Sequence, residues 1–190
     1  MKKLNRVIIV LSRIVEVFMW VGAGLSVIIT GLSAAGKFDL LKYFTDAGSG
    51  SPYLISGSFC LLGRNFLGEP IRGAYVIFFL SLVITLALMA MCARNVHLIF
   101  KTSEGLTSFS KGKTPFQPDN IRMVREIGIF LIAIPVVQLI MSVIARIALG
   151  PDMVESSVGM QNIFVGLVVL ALSRYFAYGM QLENDVDGLL

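Results

Sequence analysis

The sequence has few charged residues, and this scarcity is its most informative feature. Only 15% of its 190 residues are charged, against about 25% in soluble domains. Hydrophobic residues make up 56% of the chain, and the mean hydropathy is +0.81. This composition excludes a disordered chain, a coiled coil and an ordinary soluble enzyme. It indicates a polytopic membrane protein, because four spans of about 20 residues fit a chain of this length.

Chemically reactive residues are also scarce. There are two cysteines and a single histidine, His97, whose only nearby soft neighbour in the sequence is Cys92. A metal site needs several convergent ligands, and the sequence contains no nucleophile-elbow, zinc-protease or phosphate-loop motif. We therefore expect no enzymatic activity, no metal site and no cofactor. We also expect no direct binding of nucleic acid, because an excess of basic residues in a membrane protein reflects its topology.

Four long uncharged runs predict four transmembrane helices. The runs are residues 17–36, 73–93, 127–145 and 156–173, and each covers most of a hydrocarbon core about 30 Å thick. With their flanking residues they predict helices at about 7–35, 73–100, 120–148 and 157–182. The predicted fold class is an all-α, four-transmembrane-helix bundle that forms a single domain over residues 1–190. One large extracytoplasmic loop would connect helices 1 and 2.

The lysines and arginines predict the orientation of these spans. Eleven of the 16 would lie on the side that holds both termini and the second connection, and such an excess marks the cytoplasmic side. We therefore expect both termini in the cytoplasm. The alternative for the N-terminal segment is a signal peptide cleaved near Ser33-Ala34-Ala35, although its uncharged run is longer than the usual apolar region of about 7–15 residues.

The two larger connections have different sequence character. In the first connection, Phe38–Phe44 fits a short interfacial helix, and Tyr53–Leu62 fits either a strand or a second turn that follows the membrane surface. In the second connection, Thr114–Pro118 precedes Asp119 and Asn120. Either of these last two residues is a natural N-cap for helix 3.

Polar residues within the spans are few. Arg13 and Glu16 lie one helical turn apart and predict a local ion pair, whereas the alternative is a proton-coupled site at Glu16. Gln138 is the best interior polar candidate, and we expect it to hydrogen-bond a neighbouring helix. Small residues recur at every fourth position and predict close helix approach: Gly22, Ser26 and Thr30, and also Ser81 and Thr85.

Two segments of the sequence resemble a known family. The first is Pro115-Phe116 followed by Asn120, Arg122, Arg125 and Gly128, and the second is Phe176, Gly179 and Leu182 leading into Glu183-Asn184-Asp185. Together they resemble a bacterial family of small four-span membrane proteins that carries a domain-of-unknown-function label. Its members are often encoded beside a Cro/CI-type helix-turn-helix regulator. The resemblance implies the four-span fold, the bacterial cytoplasmic (inner) membrane and a regulator of this type as partner.

We consider two classes of function. The favoured class is a regulatory or structural membrane protein that binds and controls a small cytoplasmic transcription regulator. The alternative is a small-molecule or ion transporter or channel subunit, which needs a continuous polar lining through the spans. The expected contacts are the lipid bilayer and the regulator, and homo-oligomerisation is left open. The candidate partner-binding residues lie in the second connection and the tail: Phe109, Phe116, Arg122, Arg125, Glu183, Asp185 and Asp187.

Opposite charges predict that the second connection and the tail contact each other. Arg122 and Arg125 begin the third helix, and Glu183, Asp185 and Asp187 end the fourth. Both sets lie on the predicted cytoplasmic side. We expect ion pairs to hold the tail against the connection, although an exposed pair contributes only about 0–1 kcal/mol.

Overall fold

The computed structural model describes residues 2–37, 53–57, 59–65, 69–108, 110, 116–156 and 159–187. Four long helices account for most of them: α1 (Lys2–Ala34), α2 (Arg72–Ser103), α3 (Pro118–Leu149) and α4 (Met160–Asp187). Three short strands complete the fold: β1 (Tyr53–Ser56), β2 (Phe59–Leu62) and β3 (Val154–Ser156). A short 3-10 turn at Pro151–Met153 joins α3 to β3.

Each of the four helices is long and apolar enough to cross a membrane. Large apolar side chains on these helices remain exposed, among them Phe18, Ile147 and Phe164. A helix surface of this kind suits contact with lipid, because the bilayer core takes the place of a protein interior. The prediction of four apolar helices with the length of membrane spans is therefore confirmed.

Six of the eight helix ends lie beyond the ends that hydropathy predicts, while α1 ends one residue before and α4 begins three residues after the predicted position. The first begins at Lys2, and the last continues to Asp187. Hydropathy marks only the part of a helix that suits the bilayer core, while backbone hydrogen bonding continues into polar residues. The predicted N-cap at Asp119 or Asn120 is wrong, because α3 already begins at Pro118. Proline suits the first turn of a helix, where its missing N–H has no intrahelical partner.

Glycines end the first two helices in the same way. Gly36 after α1 and Gly105 after α2 both have φ of 72°, a left-handed conformation that glycine adopts without a steric penalty. In each case the amide of the next residue donates to a carbonyl five residues earlier, at 3.1 Å after α1 and 3.0 Å after α2. This bonding pattern satisfies carbonyls that the end of a helix would otherwise leave without a partner.

The three strands form one antiparallel sheet in the order β1-β2-β3. The first two strands are a hairpin that turns at Gly57, where φ is 60°, so the strand alternative for residues 53–62 is confirmed. Cys60 of β2 lies opposite Glu155 of β3. A large loop between α1 and α2 is not evident, because the described part of this connection pairs with the segment after α3. The interfacial helix predicted at Phe38–Phe44 lies outside the described residues.

The chain divides into two compact units. Unit 1 contains Met1–Met19, Leu88–Ala133 and Gln161–Leu190, and unit 2 contains Trp20–Ala87 and Ile134–Met160. The sheet and the glycine that turns its hairpin therefore belong to unit 2. The second connection and nearly all of α4 belong to unit 1.

The core of unit 2 forms where the sheet packs against α2 and α3. Phe59 and Leu61 of β2 are fully buried, and both point to one face because side chains alternate along a strand. The ring of Phe59 stacks on that of Phe78, with 6.5 Å between their centroids. The other buried residues of this core are Met141, Ala145 and Val154. Backbone that is not helical is thus covered by protein side chains, the condition under which it is tolerated in a membrane protein.

The small residues of α1 and α2 lie at a close helix contact in unit 2. A Cβ at Gly22 would lie 3.3 Å from Cδ1 of Leu86, and Ser26 and Ser81 are buried. The Ser26 hydroxyl donates to the carbonyl of Gly22 at 2.8 Å, and the Thr30 hydroxyl donates to that of Ser26 at 2.7 Å. The hydroxyls of Ser26 and Thr30 are therefore used within α1, while the small volume of these side chains permits the approach of α2.

Candidate functional site

The polar residues of unit 1 join α2 to α1. The Asn5 side chain donates to the carboxylate of Glu104, and Nδ1 of His97 lies 3.0 Å from the carbonyl oxygen of Ile9. A carbonyl can only accept, so Nδ1 of His97 carries the proton and donates it. These contacts show that α1 and α2 run antiparallel here. They also assign the single histidine to a helix–helix contact.

A second set of polar contacts joins α2 to α3 in the same unit. The buried Asn95 side chain donates to Oε2 of Glu126 at 3.1 Å, and Nε of Arg122 donates to Oε1 at 2.8 Å. Nearer the helix ends, Asn120 donates to the hydroxyl of Ser103 at 3.2 Å. The carboxylate of Glu126 therefore accepts at both oxygens, and the two helices are held at a fixed antiparallel register.

The ion pair between Arg13 and Glu16 is confirmed. Nη1 of Arg13 lies 2.7 Å from Oε2 of Glu16, and the exposed fractions of their side chains are 58% and 7%. The buried carboxylate thus has its partner within one turn of the same helix.

Gln138, which we expected to bond a neighbouring helix, instead contacts the hairpin of unit 2. Its Nε2 donates to the carbonyl oxygen of Ser56 at 3.4 Å, and a Cβ at Gly57 would lie 3.1 Å from the same nitrogen. The expected helix partner was wrong because the residues around Gln138 do not indicate that strand β1 lies next to this part of α3.

The two segments that carry the family resemblance contact each other in unit 1. The Phe116 ring packs on that of Phe176, with 5.7 Å between centroids and a tilted arrangement. A Cβ at Gly179 would lie 2.6 Å from Cε1 of Phe116, so the ring occupies the space that a larger residue would fill. Phe116 is 36% exposed. One part of the Phe116 ring therefore packs the second connection against α4, and only the exposed part of the ring is available to a partner.

The other candidate partner-binding residues have separate surroundings. Arg122 pairs with Glu126, and its side chain is 73% exposed. Arg125 and Asp185 are exposed, Glu183 is half-buried, and Asp187 ends α4. In the part of the chain that the structure describes, neither arginine forms an ion pair with Glu183 or Asp185, and the side chain of Asp187 lies outside the described residues. Phe109 lies outside the described residues.

A cleft of about 320 Å³ lies between α2 and α3 in unit 1. Two arginines, Arg94 and Arg122, and two acids, Asp119 and Glu126, line it together with the Asn95 amide. Its apolar wall consists of Met91, Leu98 and Met123. The sequence analysis missed this site because Arg94 and Asp119 lie on different helices, and no local pattern indicates that they share a cavity.

A second cleft, of about 460 Å³, lies between α1 and α2 in unit 1 and is almost wholly apolar. Arg13 and His97 are its polar residues, and both are engaged in the contacts described above. In the part of the chain that the structure describes, no group of three His, Cys, Asp or Glu residues is placed to hold a metal ion. No protein-family model, curated protein or solved structure matches the chain.

Proposed function

We propose that this chain is a regulatory protein of the bacterial inner membrane that binds a small cytoplasmic transcription regulator of the Cro/CI helix-turn-helix type. The class of partner comes from the family resemblance of the two segments. The contact of Phe116 with Phe176 and Gly179 supports the proposal, because it joins those segments into one surface of unit 1. A surface that is already ordered recognises a partner with a smaller entropic cost than two independent loops.

The charges on this surface suit a partner that binds DNA. A DNA-binding domain has a basic face that neutralises phosphates, and the sequence of the tail carries three acids, Glu183, Asp185 and Asp187. The positive charge of Arg122 is offset by Glu126, which reduces repulsion from the neighbouring connection. The acidic tail would therefore compete with DNA through charge complementarity, and the protein would control how much regulator is free.

This function requires both termini and the second connection to face the cytoplasm. The distribution of lysine and arginine supports that orientation, and Arg13, Arg94, Arg125 and Arg174 all belong to unit 1. Two truncated fusions test it. We expect a reporter active only in the cytoplasm to be active after Arg125, and a reporter active only outside the cytoplasm to be active after Gly57. The reverse pattern would contradict the orientation and with it the proposed function.

Co-purification from detergent with the regulator encoded beside this gene tests the binding itself. We expect the wild-type protein to retain the regulator and the triple variant Glu183→Ala, Asp185→Ala, Asp187→Ala to release it. Asp152→Ala is the matched control, since Asp152 is an exposed acid in unit 2. A regulator that stays soluble and equally active on its promoter with or without this protein would refute the proposal.

The transporter alternative is less well supported by the contacts. The buried carboxylate of Glu16 is paired with Arg13, and the hydroxyls of Ser26 and Thr30 bond to carbonyls of α1. Groups used in this way within one helix do not form a lining for a polar substrate. A proton-coupled transporter would need Glu16 to exchange protons. The proposed regulator surface does not include Glu16, so we expect Glu16→Gln to leave regulator binding unchanged.

A further inference from the structure

The cleft between α2 and α3 in unit 1 contains two charged residues, Arg94 and Asp119, that are not part of the proposed regulator surface. Arg122, Glu126 and Asn95 already satisfy one another on one side of it. Arg94 and Asp119 line the same cleft, and within the described ranges neither side chain makes a hydrogen bond or an ion pair. One cation and one anion therefore remain for a ligand, next to an apolar wall.

These groups follow a fixed order along the helices. Asn95 contacts Glu126, so Arg94 lies close to the level of Glu126. Asp119 precedes Glu126 by seven residues, which places it about 10 Å nearer the helix ends at 1.5 Å per residue. Met91 lies on the other side of Arg94, inside the uncharged run of α2. From the apolar part of the helices outward, the cleft offers Met91, then Arg94, then Asp119, and Leu98 and Met123 lie between the levels of these two charges.

We propose that this cleft binds the headgroup of one aminophospholipid, of the phosphatidylethanolamine class. The upper part of an acyl chain would lie against Met91, the phosphate would accept hydrogen bonds from Arg94, and the terminal ammonium would donate to Asp119. Chain, phosphate and ammonium occur in this order in the lipid, which matches the order in the cleft. Arginine at the membrane surface is well suited to lipid phosphate, and a charge-assisted hydrogen bond is stronger than a neutral one.

The charges favour this lipid over the other common headgroups. Phosphatidylglycerol carries a phosphate but no ammonium, so the negative charge of Asp119 would remain without a cationic partner. Phosphatidylcholine has a methylated nitrogen that cannot donate a hydrogen bond to Asp119. The cleft volume of about 320 Å³ lies at the lower end of the range for ligand pockets, about 300–1,000 Å³, which suits a headgroup whose chains remain outside.

Native mass spectrometry of the detergent-solubilised full chain tests the proposal, with the three phospholipids added in equal amounts and with identical acyl chains. We expect the wild-type protein to retain phosphatidylethanolamine about tenfold more than the other two lipids, as a charge-assisted hydrogen bond to one headgroup implies. Asp119→Asn should remove that selectivity. Arg94→Gln should reduce the retention of all three lipids, and Arg94→Lys should restore it in part because the positive charge returns.

Two matched variants control for loss of fold. Arg174→Gln and Asp152→Asn change an exposed arginine and an exposed acid outside the cleft, and both should bind lipid as the wild type does. Equal retention of phosphatidylethanolamine and phosphatidylglycerol by the wild type would overturn the proposal. So would an Asp119→Asn variant that unfolds at the wild-type temperature and keeps the selectivity. The inference is independent of regulator binding, because none of these measurements involves the regulator.

Discussion

Gly128 of α3 and Gly166 of α4 approach each other so closely that a Cβ on either would lie 2.9 Å from the carbonyl oxygen of the other. Leu170 and Ile132 close the contact, since a Cβ at Gly128 would also lie 2.7 Å from Cγ of Leu170. Small residues of this kind let two helix backbones meet within a membrane protein, where packing replaces the hydrophobic effect. The contact fixes α4 against α3 within unit 1.

Gly128→Ala should destabilise the protein by about 1–3 kcal/mol, because an added methyl group would overpack a contact made with backbone. Thermal unfolding in detergent measures the change. Gly24→Ala is the matched control, since nothing lies within 4 Å of the added Cβ there. Alanine should leave that helix unchanged or slightly more stable. Equal unfolding temperatures for Gly128→Ala and the wild type would contradict the close approach.

Phe116→Ala and Phe176→Ala should show a coupling free energy of about 0.5–1.5 kcal/mol in a double-mutant cycle, as expected for an aromatic pair. The free energy of unfolding of the four proteins gives the coupling. Tyr178 is exposed on the same helix, so a cycle of Phe116→Ala with Tyr178→Ala should be additive. Additive effects of Phe116→Ala and Phe176→Ala would show that the second connection does not pack against α4 through these two rings.

Gln138→Leu should cost about 1 kcal/mol, since it removes the donor to the Ser56 carbonyl. Hydrogen exchange should also become faster in β1 and β2, because the hairpin loses a bond to α3. Gln161→Leu serves as control, as Gln161 is exposed at the start of α4. Unchanged exchange in the hairpin of the Gln138→Leu variant would rule out this role for the amide.

The Cys60 thiol should react slowly with iodoacetamide at neutral pH. Burial and, to a smaller extent, the nearby Glu155 carboxylate raise its pKa, and the thiolate is the reactive form. The rate should therefore rise only at a pH above the ordinary range for cysteine. In a Cys92→Ala background, Glu155→Gln should lower the midpoint in part, because burial is the larger cause and persists. Glu69→Gln, at an exposed acid, should not move it, and a wild-type midpoint in the ordinary range would contradict the burial.

The helices could be predicted because the information lies in contiguous residues. An uncharged run such as residues 73–93 is sufficient to indicate α2 without any knowledge of its neighbours. The ion pair of Arg13 with Glu16 was predictable for the same reason, since both residues lie within one turn. The position of each helix end was less predictable, because polar residues such as those after Leu182 can remain helical outside the apolar core.

The sheet and the cleft could not be predicted because they depend on contacts between distant parts of the chain. The pairing of Cys60 with Glu155 has no local signal, since a three-residue strand after a 3-10 turn resembles any short connection. Arg94 suggested only the membrane orientation, and Asp119 suggested only a helix cap. Their shared cleft follows from the register that Asn95 and Glu126 set between α2 and α3.

The central strand of the sheet imposes an order on biosynthesis. β2 leaves the ribosome with Phe59 and Leu61 uncovered, and its neighbour β3 begins only at Val154, roughly 90 residues later. At about 5–20 residues per second, the nascent hairpin waits for several seconds while α2 and α3 are synthesised. During this interval its apolar face needs temporary shelter by the insertion machinery, a chaperone or lipid. A pause or truncation before Val154 would therefore expose a strand edge that aggregates or attracts quality-control proteases.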